Sequence, residues 1–319
     1  MDRIHNRRPR FLASAFFCLA SLVVAGLLAA QQPDVPRRVS RAPDVADVPY
    51  GPHERNVLDF WRAKSEKPAP LVIYIHGGGF RAGDKKSLSP VLFDLAMEKG
   101  WAVAAIHYRF SQHAPYPAPM MDSARAVQFL RSKAKEWNID PARFAATGGS
   151  AGAGISLWLG FHDDLAKPAS ADSVERQSTR LTAMGVLGAQ SSYDPRVISK
   201  IISPIAAAHP ALPPFFGVES IDDRSPRAIK QYEDSAAINH LTADDAPAFL
   251  FYSEADGPIA ADAKPGTGIH HPAFGRLLKA KMDKLGIECE IHHRDEYQGD
   301  GQRQMYGQMV GFFEKYFGK

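Results

Sequence analysis

The amino-acid sequence predicts an α/β fold, in which a mostly parallel central β-sheet is covered by helices on both faces. Short apolar runs alternate along the chain with segments of helical period, and this alternation is typical of parallel sheets. The apolar runs are nearly continuous, as expected for strands that are buried on both faces. Of the 319 residues, 45% are hydrophobic and 23% charged, which indicates a globular protein with a sizeable core.

Six apolar runs are predicted to be strands because they are short, contain many β-branched residues and are bounded by turn residues. They are residues 70–78, 101–110, 143–150, 183–192, 246–256 and 287–296. An earlier segment, 48–64, predicts an antiparallel hairpin at the edge of the sheet. Cys289 alternates with Ile287 and Ile291 in the last run, so we expect a buried strand residue and not a reactive thiol.

Helices are predicted between these strands. Ser89 followed by Pro90 marks a helix start, and Gly100 marks its end. Residues 119–140 place their apolar side chains on one broad face, and segments 271–286 and 305–318 are also helical in pattern. Only residues from about 194 to 245 do not follow this alternation of strand-like and helical segments. We interpret them as an insertion over the carboxyl ends of the strands, where α/β sheets bind ligands; a plain long connection is the alternative.

The N-terminus has the organisation of an export signal. Residues 1–10 are basic, residues 11–30 are apolar, and small residues near Ala30 offer a cleavage site. We therefore expect an exported protein, periplasmic or secreted, with 1–30 as signal peptide, 31–46 as flexible lead-in and 47–319 as the folded domain. The apolar run is also long enough to span a membrane, so an uncleaved membrane anchor is the alternative.

The distribution of charge argues against a nucleic-acid partner. The net charge of the chain is +3, and residues 1–30 alone carry four arginines against one aspartate. The remaining residues are therefore neutral overall, and no run of lysine or arginine follows. A basic surface of the kind that binds nucleic acid is not expected.

Ser150 lies at the centre of the sequence Gly148-Gly149-Ser150-Ala151-Gly152. A predicted strand precedes this serine and a helix-period segment follows it, which is the context of a nucleophile elbow. Small residues two positions before and after the serine let the backbone make the sharp turn. We interpret Ser150 as a nucleophile; the alternative is a chance match or a phosphate-binding turn.

A second motif, His76-Gly77-Gly78-Gly79-Phe80, lies at the end of the strand predicted at 70–78. Backbone amides aimed at a carbonyl oxygen stabilise the negative charge that develops there during acyl transfer, by about 3 kcal/mol each. Glycines leave such amides unobstructed. His76 precedes the turn, so we expect it to brace the loop and not to act as a base.

Together these motifs resemble the α/β-hydrolases of the HGGG-bearing esterase and lipase group, which includes hormone-sensitive-lipase-like and feruloyl-esterase-like bacterial proteins. The resemblance extends from about residue 47 to the end of the chain. It implies that Ser150 is the nucleophile and that the amides of Gly78, Gly79 and Ala151 form the oxyanion hole. It also implies that Asp256, at the end of a predicted strand, is the catalytic acid. A turn-forming aspartate before Gly257 is the alternative interpretation of Asp256, and Glu254 is a second carboxylate close by.

The family's catalytic histidine has no obvious counterpart in this chain. Gln302 stands at the expected position and no histidine follows it, and glutamine cannot act as a general base near neutral pH. His270 and His271 lie in a glycine-rich loop after Asp256, so a relocated base is possible there. We take His271 as the candidate; alternatively both imidazoles face solvent at a capped helix start.

The sequence thus predicts an exported serine hydrolase that cleaves carboxylic esters of small molecules, including carbohydrate-linked ones. The alternative is a degenerate, weak or inactive hydrolase that binds a ligand. A peptidase on the same fold is less favoured. No cofactor is expected, and no metal, because the histidines form no helix-spaced pair with carboxylates.

Overall fold

The computed structural model describes residues 38–318, which contain a single eight-stranded sheet in the order β1-β2-β4-β3-β5-β6-β7-β8. Strands β3 to β8 pair in parallel, whereas β2 is antiparallel to both β1 and β4. The strands are β1 (Val45–Pro49), β2 (Val57–Trp61), β3 (Ala69–Ile75), β4 (Ala102–Ile106), β5 (Ile139–Gly149), β6 (Ala183–Leu187), β7 (Ala248–Tyr252) and β8 (Cys289–His293). The predicted strands and edge hairpin are confirmed.

Eleven helices are described. They are α1 (Pro90–Glu98), α2 (Ala118–Ser132), α3 (Ala134–Trp137), α4 (Ala151–Phe161), α5 (Pro195–Ile201), α6 (Pro204–Ala207), α7 (Leu212–Phe216), α8 (Pro226–Ser235), α9 (Ala237–His240), α10 (Ala273–Lys284) and α11 (Gly301–Phe317). Single 3₁₀ turns occur at Lys85–Ser87 and Arg294–Glu296. The segment between β6 and β7 holds the five short helices α5 to α9.

Both faces of the sheet are buried, as the apolar strands predict. Successive strand side chains point to opposite faces, so Val72 packs with α1 and α11 while Ile73 packs with α2, α4 and α10. Cys289 on β8 is also buried, and burial raises the pKa of its thiol to about 12. A thiol in this state is protonated and unreactive at neutral pH, which confirms the buried-strand interpretation.

The helix boundaries follow local capping. The Ser89 hydroxyl accepts a hydrogen bond from the Leu92 amide at 3.5 Å, as the Ser-Pro pattern predicts. The last helix begins four residues earlier than predicted, because the Asp300 carboxylate accepts a hydrogen bond from the Arg303 amide at 3.1 Å. The residues between Gly301 and Met305 are polar, so this first turn shows no apolar periodicity in the sequence.

The predicted signal peptide or anchor, residues 1–30, lies outside the described residues, as do residues 31–37 of the predicted lead-in. The first strand begins at Val45, inside that lead-in. Within residues 38–318, none of the helices has both the length and the apolar character that crossing a membrane requires. Export remains a prediction of the sequence.

Candidate active site

Ser150 forms the turn between β5 and α4, which are joined by this one residue. Its backbone angles are φ 53° and ψ −119°, and a non-glycine residue in such a conformation carries about 1–3 kcal/mol of strain. The Ser150 amide donates to the Leu187 carbonyl at 2.9 Å. The strained turn presents the hydroxyl at the carboxyl end of the sheet, which is the geometry of a nucleophile elbow.

The glycines around the elbow let the end of β3 approach the backbones of both β5 and α4. A Cβ atom added to Gly148 or Gly152 would lie 2.2 or 2.0 Å from the Ile75 carbonyl oxygen, so no side chain fits at either position. A Cβ atom on Gly77 would lie 3.5 Å from that of Ser150. The end of β3 therefore delivers the glycine loop alongside the serine.

The glycine loop turns back on itself and leaves its amides free. Gly78 and Gly79 have φ values of 108° and 58°, in the region that favours glycine. The Gly78 carbonyl accepts from the Ala82 amide at 3.1 Å, while the amides of Gly78 and Gly79 donate to no acceptor within residues 38–318. The Ala151 amide lies in the first turn of α4, where helices leave donors unpaired. These are the three donors that the sequence predicts.

His76 holds the loop from beneath. It is fully buried, stacks on Tyr108 with ring centroids 4.4 Å apart, and places Nδ1 2.8 Å from the Gly77 carbonyl oxygen. A carbonyl only accepts, so Nδ1 carries the proton and Nε2 accepts from the Arg55 guanidinium at 3.2 Å. His76 therefore orients the loop backbone, the bracing role that the sequence predicts for it.

Protonation of this cluster is expected to destabilise the fold in acid. Burial lowers the pKa values of His76 and His107 from 6.5 to about 4, and Arg55 lies against both rings. As the pH falls, the two imidazoles bind protons in the unfolded chain at a higher pH than in the folded protein. The free energy of unfolding is therefore highest above pH 6.5 and decreases as the pH drops towards 4. Each histidine contributes about 3 kcal/mol to this loss.

The check is the free energy of unfolding measured in urea between pH 7 and pH 4. We expect His107→Gln to flatten the curve relative to the wild type, and the exposed His113→Gln to serve as the control for removal of an imidazole. Equal slopes in the wild type and in His107→Gln would contradict the expected protonation of the buried ring.

The imidazole that contacts the nucleophile belongs to His270. Its Nε2 lies 2.8 Å from the Ser150 hydroxyl oxygen, although the two residues are 120 positions apart. Its Nδ1 lies 3.1 Å from a carboxylate oxygen of Glu254. A carboxylate accepts, so Nδ1 donates to Glu254 and Nε2 is the nitrogen that can accept the serine proton. Both side chains are about one-third exposed.

Glu254 follows β7 at the carboxyl edge of the sheet. The His293 ring on the neighbouring strand β8 donates from Nε2 to the Glu254 backbone carbonyl at 2.8 Å. The acid is therefore fixed through its backbone while its carboxylate orients His270. Together Ser150, His270 and Glu254 form a hydrogen-bonded chain of nucleophile, base and acid.

His271, the base chosen from the sequence, does not reach the serine. It is buried, its Nδ1 accepts from the Ala273 amide at 3.0 Å, and its Nε2 donates to the Gly257 carbonyl at 2.9 Å. Both ring nitrogens are therefore occupied in holding the loop. The pair of histidines was the right place to look for the imidazole, but the choice within the pair was wrong, because adjacent side chains point in different directions.

Asp256, the acid chosen from the sequence, does not contact His270. Its carboxylate pairs with Arg276 on α10 at 2.5 Å and is half-exposed. Glu254 lies closer to the end of β7 and takes the position facing the imidazole. The assignment of Asp256 as the partner of the base is therefore corrected to Glu254, the second carboxylate of the same segment.

Gln302, at the position where the family carries its histidine, is exposed in the first turn of α11. The loop between β8 and α11, which carries the family's base, contributes no imidazole here. His270 reaches Ser150 from the loop between β7 and α10 instead.

Sequence reasoning missed Gln190, which is buried beneath this loop. Its amide nitrogen donates to the carbonyls of Gly188 and Ile269 at 3.0 and 2.7 Å, and its oxygen accepts from the Tyr193 hydroxyl at 3.0 Å. It therefore holds the residue directly before His270. No local motif marks a glutamine for this task, because the contact that holds the loop is made with Ile269, 79 positions along the chain.

The segment between β6 and β7 packs against the glycine loop. The ring of Phe215 on α7 stacks on Phe80 with centroids 4.0 Å apart, and a Cβ atom on Gly79 would lie 3.2 Å from that of Ala211. His209 lies in the same segment, where burial and the neighbouring His270 lower its pKa. The segment thus forms a wall beside the free amides.

Comparison with known proteins finds a family model and several ester hydrolases similar to this chain. The family model BD-FAE matches residues 58–263. Among curated proteins, the chain is 27% identical over 228 residues to the probable carboxylic ester hydrolase LipM of Mycobacterium tuberculosis, covering 69% of this chain and 50% of that protein. The esterase LipQ of the same organism is 28% identical over 223 residues, covering 62% and 53%. The chain thus spans about half the length of the curated relatives it matches.

Solved structures share the fold. A truncated carbohydrate esterase from gut microbiota superposes with a TM-score of 0.67 at 20% identity, covering 88% of this chain and all of that one. An acetyl ester-xyloside bifunctional hydrolase from Caldicellulosiruptor lactoaceticus gives the same TM-score and identity, covering 86% and 98%. These likenesses establish the α/β-hydrolase fold.

Proposed function

The chain belongs to the BD-FAE family, and from this we propose that it is a serine hydrolase that cleaves carboxylic esters through Ser150. The observation that carries the proposal is the 2.8 Å contact between the Ser150 hydroxyl and Nε2 of His270. A serine hydroxyl is a weak nucleophile at neutral pH and needs such a base. The curated relatives named as ester hydrolases support the reaction class.

In the proposed first half-reaction, the Ser150 oxygen attacks the ester carbonyl carbon while His270 takes the serine proton. The carbonyl oxygen becomes an oxyanion, which the amides of Gly78, Gly79 and Ala151 stabilise. Collapse of this intermediate breaks the bond to the alcohol, which leaves with the proton from His270. An acyl group remains on Ser150.

In the second half-reaction, water attacks the acyl carbonyl carbon and gives its proton to His270. The same amides stabilise the second oxyanion. The carboxylic acid then leaves as the Ser150 oxygen recovers the proton. Throughout, the Glu254 carboxylate holds the imidazole in the required tautomer and stabilises its charged form.

We further propose small-molecule esters as substrates, including esters on carbohydrates. Two of the structural neighbours are a carbohydrate esterase and an acetyl ester-xyloside bifunctional hydrolase. The partial exposure of His270 and Glu254, each about one-third exposed, supports a site open to a bulky polar alcohol. Release of acetate from acetylated xylo-oligosaccharides, compared with that from short-chain p-nitrophenyl esters, tests this substrate class.

A fluorophosphonate probe tests whether Ser150 is an activated nucleophile. We expect one phosphonyl group per chain, located on Ser150 by peptide mass spectrometry, and no label on Ser150→Ala. The same preparations should differ in p-nitrophenyl acetate turnover. If the wild type remains unlabelled and hydrolyses the ester no faster than Ser150→Ala, the enzymatic proposal is wrong.

The alternative, a degenerate hydrolase that only binds its ligand, was motivated by Gln302. His270, which contacts Ser150, provides the general base that Gln302 cannot provide. This contact favours an active hydrolase over a protein that only binds its ligand. The binding-only alternative would be supported if the probe leaves Ser150 unlabelled while an ester ligand still raises the melting temperature of the chain.

A further inference from the structure

Two histidines and an aspartate meet at the far end of α4 from Ser150. His162 caps the C-terminus of α4, Asp234 lies near the end of α8, and His240 ends α9. One potential metal-binding atom from each residue lies within 4.8 Å of those of the other two. An eleven-residue helix separates this cluster from the nucleophile by about 16 Å, so the cluster is distinct from the active site.

Hydrogen bonds to the backbone indicate the tautomer of both imidazoles. Nδ1 of His162 lies 2.9 Å from the Asp163 carbonyl oxygen, and Nε2 of His240 lies 2.7 Å from the Asp234 carbonyl oxygen. Carbonyls only accept, so these nitrogens carry the protons and each ring keeps a lone pair on its other nitrogen. Metal-binding histidines typically donate their second nitrogen to a backbone carbonyl or carboxylate in this way.

The carboxylate of Asp234 is held in a similar manner. Its Oδ2 accepts from the Tyr116 hydroxyl at 2.5 Å, and its Oδ1 lies 3.9 Å from Nε2 of His240. The Trp158 indole donates to the Asp234 backbone carbonyl at 3.1 Å and its ring lies 4.2 Å from that of His162. Each of the three residues is therefore oriented by a second contact.

We propose that His162, Asp234 and His240 bind a zinc ion. Two neutral imidazoles and one carboxylate are a ligand set that zinc accepts, with a water molecule as the fourth ligand. Ligands at about 2.1 Å from a tetrahedral metal lie about 3.4 Å apart, and the three residues already lie within 4.8 Å of one another. Closing the site requires the His240 ring to turn its free Nδ1 towards the other two ligands, because its Nε2 now faces Asp234. The sequence predicts no metal here, because the tertiary structure alone brings the three residues together.

Zinc at this position would join the end of the nucleophile-bearing helix α4 to helices α8 and α9, which precede β7. The same segment, between β6 and β7, forms the wall beside the glycine loop. The metal would therefore act as a structural clamp that fixes this segment onto the core, without contacting the reacting groups.

Metal binding is tested on the purified full chain, without a polyhistidine tag and stripped with a chelator. We expect one zinc ion per chain by titration calorimetry, and a melting temperature about 5 °C higher at a zinc concentration 100 times the dissociation constant. Magnesium, which prefers all-oxygen ligands, should have no effect. A wild-type chain that binds no zinc, or several ions of equal affinity, would overturn the proposal.

Variants locate the site. Asp234→Asn and the double variant His162→Asn/His240→Gln should lose the zinc-dependent shift. His292→Gln removes a histidine that lies between Glu290 and Glu296 on the edge strand β8, and should keep the full shift. If a cluster variant retains the shift, or if His292→Gln abolishes it, zinc binds elsewhere and the assignment is wrong. Should a variant fail to fold, the number of zinc ions bound per wild-type chain is the test: one ion supports the proposal, and none or several contradicts it.

Discussion

Replacing His270 with alanine is expected to lower kcat/KM for p-nitrophenyl acetate by about 10⁴- to 10⁶-fold. The imidazole lies 2.8 Å from the Ser150 hydroxyl oxygen and is the group within reach of the serine proton. Without it the hydroxyl loses its base, and the imidazole that protonates the leaving alcohol is also lost. The residual rate would come from the free amides of the glycine loop and from substrate binding.

His271→Gln is the matched control, because it removes the adjacent imidazole that does not reach Ser150. Its two ring nitrogens hold the loop through Ala273 and Gly257, so we expect a lower melting temperature and a loss of less than about tenfold in kcat/KM. Steady-state kinetics and circular dichroism on both variants separate catalysis from folding. A greater kinetic loss in His271→Gln than in His270→Ala would contradict our assignment of the base.

Glu254→Gln is expected to lower kcat by about 10⁴-fold, comparable to the loss of the acid in other serine hydrolases. The Glu254 carboxylate accepts from Nδ1 of His270 and so keeps the lone pair on Nε2, facing the serine. A glutamine amide can donate to Nδ1 and stabilise the opposite tautomer. It also removes the negative charge that stabilises the imidazolium during the reaction.

Asp256→Asn is the control for this prediction, since Asp256 pairs with Arg276 and not with His270. We expect less than about a threefold change in kcat, because Asp256 does not contact His270. The effect on folding should also be small, since exposed ion pairs contribute about 1 kcal/mol or less to stability. Initial rates at saturating substrate, across pH 6 to 9, measure both variants. Should Asp256→Asn prove the more damaging of the two, the acid would be Asp256 and a loop rearrangement would be required.

The elements of this fold could be predicted because their signals are local. An apolar run such as 70–78 indicates a strand whatever its neighbours are, and Ser89 with Pro90 indicates a helix start. The elbow at Ser150 is equally local, since strand, small residues and helix are contiguous in the chain. The start of α11 was missed because its first turn is polar and depends on the Asp300 cap.

For the base and the acid that serve Ser150, the sequence could only reduce the candidates to pairs of nearby residues. The sequence places His270 and His271 in one loop, and Glu254 and Asp256 at one strand end, but the residues of each pair differ only in side-chain direction. That direction depends on contacts with distant residues, such as His293 against the Glu254 backbone and Gln190 against Ile269. No periodicity or motif encodes these contacts.

The sequence by itself determined the α/β architecture, the position of the strained serine and the glycine loop that faces it, because each depends on residues that are neighbours in the chain. The tertiary structure decided which imidazole and which carboxylate serve Ser150, and it brought His162, Asp234 and His240 together. The positions of these side chains depend on how the loops pack at the end of the sheet, and that packing is stabilised by contacts between residues far apart in sequence.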